Sequence, residues 1–80
     1  MAIQDQIAEA GRIKSTIAFN YAKDDGSNSR REVEPYSYKN EDLLCGRDID
    51  KDGIRYFKLA MMSNVEVTGN SFEPRWPIEV

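Results

Sequence analysis

The stretch from Asp42 to Leu59 constrains the chain most, because it reads as two strands folded about one tight turn. Leu43, Leu44 and Cys45 make a short apolar run, and Ile54, Tyr56, Phe57 and Leu59 resume a β-favouring composition. Between them Asp50, Lys51, Asp52 and Gly53 are turn chemistry, with glycine free to take the positive φ that a short hairpin loop often needs. A lone hairpin leaves two unpaired edges and is marginal in water. Further strands must come from the rest of the chain.

The periodicity supplies them. Residues 2–11 read as a short helix, with Ile3, Ile7 and Ala10 on one side, Gln4, Asp5 and Glu9 on the other, and Gly11 as its stop. From Ile13 the period changes from 3.6 to 2, and Ile13, Ile17, Phe19 and Tyr21 share one face of a first strand. Lys23 to Ser29 is a polar loop. A second strand runs from Arg30 to Tyr38, with Val33 facing inwards and Pro35 marking an edge, bulge or bend, since proline cannot donate to a ladder. Val65 and Val67 alternate with Glu66 and Thr68 in a fifth strand.

The fold class this predicts is mainly β: a short N-terminal helix followed by a five-stranded Sm-like (SH3-like) small barrel. Eighty residues make one domain. It divides into the helix (2–11), the barrel (13–68) and a tail (69–80). Ile17, Phe19, Val33, Leu44, Phe57, Leu59, Val65 and Val67 are the expected core. Leu43 has the opposite parity to Leu44, so only one of them faces inwards. Phe72 and Trp76 lie in the proline-containing tail and are costly to expose. They either fold back over the barrel or meet a second copy in a homodimer.

Composition narrows function by exclusion. No apolar run approaches the ~20 residues of a membrane span, and Met-Ala-Ile-Gln-Asp-Gln has neither the basic region nor the apolar core of a signal peptide. The single cysteine, Cys45, cannot close an internal disulfide and is expected as a buried thiol, which points to a reducing, cytoplasmic setting. No histidine is present, so the commonest general base and metal ligand are missing. Asp48-x-Asp50-x-Asp52-Gly53 imitates the start of a calcium loop, but the position of its closing glutamate holds Leu59. Glu32, Glu34, Glu41 and Asp42 read as solvated carboxylates. No catalytic residues, metal ligands or cofactor are expected, and the chain is not read as an enzyme.

A net charge of −3 argues against nonspecific binding to nucleic acid but leaves room for a local basic patch. Arg30, Arg31, Arg47, Arg55 and Lys58 all fall on strands, while many acids fall in turns. Guanidinium groups donate in a planar fork that suits phosphates and carboxylates. Tyr36, Tyr38 and Tyr56 are interleaved with them and offer stacking faces for bases. Arg55 shares the parity of Phe57 and Leu59, which puts it at a barrel mouth or beside a bulge rather than in the core. The competing reading has these arginines pairing across strands with Glu32, Glu34, Glu66 and Asp48.

Leu-Leu-Cys-Gly-Arg-Asp, then Gly-Ile-Arg-Tyr-Phe-Lys-Leu, then a valine strand and Phe72-Glu73-Pro74, resemble the WYL domain family. The family's triplet falls on Asp42-Leu43-Leu44, and its Arg-x-Phe-x-Leu segment on Arg55, Phe57 and Leu59. Phe19-x-Tyr21 and Arg31-x-Val33-x-Pro35 resemble its first two strands. The resemblance runs from about Ile3 to Pro74. It implies an Sm-like barrel of bacterial or phage origin, used as a sensor or accessory module that binds a nucleic acid or other anionic ligand through arginines. No helix-turn-helix accompanies it here.

Two functions are therefore expected. One is a non-catalytic regulatory or accessory barrel binding single-stranded nucleic acid or a small anionic ligand through Arg30, Arg31, Arg47, Arg55, Lys58 and Tyr56. The other is a protein-interaction or oligomerisation barrel whose arginines are structural.

Overall fold

The computed structural model describes residues 2–80. Helix α1 spans Ile3–Ile13, beyond the expected stop at Gly11. Gly11 is buried, and a Cβ there would sit 2.5 Å from Val80 Cγ2. The glycine therefore admits the C-terminal tail rather than ending the helix. The helix ends instead at Lys14, in the left-handed region at φ 57°, whose N–H turns back to the carbonyls of Ala10 and Gly11. Ile13 consequently closes the helix and is half-exposed, and it does not join the inner face of the first strand.

The strands are β1 (Ser15–Ala22), β2 (Asn28–Asn40), β3 (Leu43–Asp48), β4 (Gly53–Lys58) and β5 (Met62–Ser71), with a 3₁₀ turn at Leu59–Met61. They form one antiparallel sheet in the order β4-β3-β2-β1-β5. The expected mainly β, five-stranded arrangement is present, but among the described residues no ladder joins β4 to β5, so the sheet does not close into a barrel by hydrogen bonding. It is nonetheless irregular where curvature needs it. Register shifts fall between Pro35 and Ser37 in β2 and between Ala18 and Asn20 in β1, and bulges of this kind bend strands. The curl brings the Phe57 ring of β4 edge-on to Phe19 and Tyr21 of β1, each at 5.2 Å between centroids. The Lys58 N–H donates to Tyr21 Oη at 3.0 Å and ties the end of β4 to β1.

One apolar cluster fills the concave side. Ile7 and Ala10 of α1 lie over Ile17, Phe19, Val33, Leu44 and Phe57, with Met62 and Val65 of β5. Leu44 is fully buried and Leu43 is not, as their parity requires. Leu59 and Val67, expected in this core, pack against it only partly buried. The fifth strand begins earlier than the Val65–Thr68 alternation, at Met62, which is buried.

The tail covers part of the opposite side. Tyr36 is skipped in the β2–β3 register, which passes from Pro35↔Gly46 to Ser37↔Cys45. Its carbonyl instead accepts the Glu79 N–H at 2.6 Å. Its hydroxyl accepts the Arg75 N–H at 3.2 Å, and Phe72 and Trp76 pack edge-on to its ring at 5.7 and 5.3 Å. Tyr36 is thereby buried and cannot offer a stacking face to a base. Glu34 beside it is buried too, contrary to the solvated role expected for it. Phe72 and Trp76 fold back onto their own chain.

Candidate anion-binding cleft

The sheet registers divide the predicted arginines between two faces. Arg31 lies opposite Phe19, and Arg55 opposite Gly46 with Phe57 two residues on, so both belong to the concave, core-bearing face. Arg30 lies opposite Asn20, and Arg47 opposite Glu34 and Ile54, on the outer face.

The outer arginines are occupied. Arg30 pairs with Glu66 and also donates to Asn20 Oδ1 at 3.3 Å and to the Asn64 carbonyl at 3.2 Å. Arg47 donates to Glu34 Oε2 at 2.9 Å and pairs with Asp52 at the hairpin turn. Asp52's hydrogen bond to Arg47, reinforced by the attraction of that guanidinium, holds its carboxyl below the usual range. Tyr36 Oη donates to the other Glu34 oxygen at 2.5 Å. Burial and that bond to a carboxylate push the Tyr36 phenol above its ordinary value. Glu32 takes no arginine; it accepts from Thr16 Oγ1 at 2.7 Å and Asn70 Nδ2 at 3.1 Å.

The concave pair is arranged differently. Arg31 donates through Nη1 to Asp48 Oδ2 at 3.0 Å and through Nε to Ser29 Oγ at 3.0 Å. Asp48 is fully buried, and its second oxygen accepts the N–H groups of Asp50 at 3.0 Å and Lys51 at 3.3 Å. Of the three carboxylates that would open a calcium loop, Asp48 and Asp52 are thus engaged by arginine. Arg55 is exposed, and among the described residues no carboxylate lies within ion-pair distance of it.

Arg31 and Arg55 line an open cleft of about 450 Å³ together with Tyr21, Lys23, Tyr56 and Phe57. A smaller hollow of about 220 Å³ adjoins it, sharing Tyr21 and Lys23 and adding Lys58 and Asp24. Among the described residues no carboxylate lines the cleft. Cations beside aromatic walls are the chemistry for a phosphate and an attached ring. Of the six predicted site residues, the structure gathers Arg31 and Arg55 here, sets Lys58 next door, and removes Arg30 and Arg47 to the other face; Tyr56 borders the cleft from the β4 edge, but strand alternation turns its side chain to that outer face as well. Tyr56 is half-exposed, with the Lys39 ammonium 4.9 Å from its ring centroid. Tyr38, the third proposed stacking residue, packs against the core, and burial raises its phenol pKa. Sequence reasoning missed Lys23, assigned to a polar loop. Its signal was parity, since it continues the Ile17, Phe19, Tyr21 series just past β1.

An apolar groove of about 340 Å³ lies on the outer side, between Tyr36, Cys45, Ile54, Trp76 and Pro77. Cys45 lines it half-buried, rather than being sealed in the core as expected. Among the described residues no helix is long and apolar enough to cross a membrane.

The family model described as the WYL domain matches residues 2–67, which include every residue lining the cleft. The solved chain described as proteasome accessory factor B/C (PafBC) of Arthrobacter aurescens is similar in sequence and fold. It shares 30% identity at a TM-score of 0.78, over 90% of this chain and 12% of that one. The present chain therefore spans only a small part of that protein's length. No curated protein matches the chain.

Proposed function

Because this chain belongs to the WYL domain family, we propose that it is a non-catalytic regulatory or accessory module that binds single-stranded nucleic acid or another phosphate-bearing ligand in the cleft of Lys23, Arg31 and Arg55. The observation that carries this reading is Arg55, a guanidinium without a carboxylate partner among the described residues. It stands beside a second arginine and a lysine in a chain of net charge −3. Arg31 is held in place by Asp48 and Ser29, so it meets a ligand with little further ordering. Tyr21 forms a wall on which a base stacks, and Lys58 extends the basic track into the adjoining hollow.

The test is titration of the purified chain with short single-stranded DNA and RNA at two salt concentrations. Binding that weakens steeply with salt and is reduced by Lys23→Ala supports the reading.

A second reading is an interaction module of bacterial or phage origin whose arginines are structural. The carboxylate partners of Arg30, Arg31 and Arg47 support it. In this reading Trp76, still 47% exposed, and the neighbouring Phe72 provide the surface for a homodimer. Failure of every anionic probe at low salt, together with a dimer in sedimentation, favours it over the first.

A further inference from the structure

Strand β4 lies at the edge of the sheet, paired only with β3. In an antiparallel strand each residue turns its N–H and C=O to the same side, and the side alternates along the chain. Leu59 N–H donates towards β3, to the Asp42 carbonyl at 2.9 Å, whereas Lys58 N–H donates away from it, to Tyr21 Oη at 3.0 Å. By this parity Gly53, Arg55 and Phe57 turn their backbones to β3, and Ile54 and Tyr56 turn theirs outwards. Among the described residues no side chain, turn or loop group bonds to either outward backbone. The side chains of Ile54 and Tyr56 are 41% and 52% exposed, on the face that bears the apolar groove. Arg55, on the other face, has no carboxylate partner among the described residues, and the nearby Asp52 is taken by Arg47.

A second copy presenting its own β4 fits this edge badly. Two β4 edges paired antiparallel through Ile54 and Tyr56 bring the two Arg55 side chains directly opposite one another, where like charges are destabilising. An inward-set charge on an edge strand refuses its own kind. It accepts a strand of opposite charge. We propose that the free edge of β4 receives an extended acidic segment of a partner protein as a sixth strand. Ile54 and Tyr56 exchange backbone hydrogen bonds with it. Alternate side chains of the segment place carboxylates beside Arg55 and apolar groups beside Ile54 and Tyr56. Such strand addition takes affinity from main-chain bonds and specificity from alternate side chains.

The test titrates the full chain with a blocked alternating Glu-Val peptide of about eight residues, a long strand's length, and with its Lys-Val counterpart. Amide hydrogen exchange is the readout. The expected result is saturable binding of the Glu-Val peptide with slowed exchange at Ile54 and Tyr56. Ile54→Pro removes an outward donor and leaves the groups that face β3 intact, a placement proline tolerates on an edge. It should weaken binding roughly tenfold, the scale of one hydrogen bond, while the thermal midpoint holds. Arg55→Glu, which alters no backbone group, should reverse the preference between the two peptides. Several results overturn the proposal: no saturable binding, binding that leaves both amides unprotected, or binding indifferent to both variants. Protection of the same amides in a peptide-free dimer, or by single-stranded DNA, overturns it as well, since the edge then serves another occupant.

Discussion

Arg31 and Asp48 form an ion pair at 3.0 Å whose carboxylate is wholly withdrawn from solvent. The same carboxylate caps the β3–β4 turn through the N–H groups of Asp50 and Lys51. One side chain thus fixes the hairpin turn and orients an arginine of the cleft.

Removing that carboxylate leaves a mostly buried guanidinium unpaired and two turn amides uncapped. Breaking a buried pair by deleting one partner typically costs about 3–5 kcal/mol. Asp48→Ala should approach that loss in urea unfolding. A loss below about 1 kcal/mol, the scale of an exposed pair, shows that Asp48 is not the anchor described.

Two glycines should respond differently to alanine. At Gly46 a Cβ would meet Val33 Cγ1 at 2.4 Å and the Glu34 carbonyl oxygen at 2.7 Å, so the β2 backbone itself must move. At Gly11 the obstacle is side chains of the tail, Val80 Cγ2 at 2.5 Å and Ile78 Cγ2 at 3.0 Å. Gly46→Ala should lower the thermal midpoint markedly. Gly11→Ala should mainly displace the tail, seen as greater quenching of Trp76 by iodide. The reverse ranking contradicts the packing.

Phe57 closes the curled sheet by meeting Phe19 and Tyr21 across the open side. Phe57→Ala should cost about 3–5 kcal/mol, comparable to the whole stability of a small domain. A thermal midpoint within a few degrees of the parent's removes Phe57 from the core.

These core positions were legible in the sequence because strand parity is local. Ile17, Phe19, Val33, Leu44 and Phe57 follow from alternation alone, and Pro35 marked the irregularity in β2. What depended on distant residues was not legible. Gly11 reads as a helix stop until the tail is seen packed on it, and Glu34 and Tyr36 read as surface until the tail is placed across β2. The five strands were legible but the barrel was not settled by them, since strand count and turns do not determine whether the last edges meet. In the site, the sequence identified the arginines but not their partition between faces, which the β1–β2 and β3–β4 registers decide.

Alkaline pH should loosen the tail. Burial, with the bond to Glu34, raises the Tyr36 pKa above the ordinary value of about 10. A group with a raised folded pKa contributes stability that is complete below the unfolded value and is lost as pH rises through the folded one. The thermal midpoint should therefore begin to fall above pH about 10, accompanied by exposure of Trp76. Tyr36→Phe keeps the ring and removes the titrating hydroxyl, so the Trp76 response should flatten. An undiminished response assigns it to another group.

The central claim is that Arg55 meets a ligand phosphate, and the salt dependence of affinity for a short single-stranded oligonucleotide tests it most directly. For the parent chain, log affinity should fall linearly with log salt. For Arg55→Ala the slope should be shallower by about 0.7, one phosphate contact on a single strand, with the thermal midpoint unchanged. Identical slopes for the two proteins, or no binding at low salt, would contradict the account.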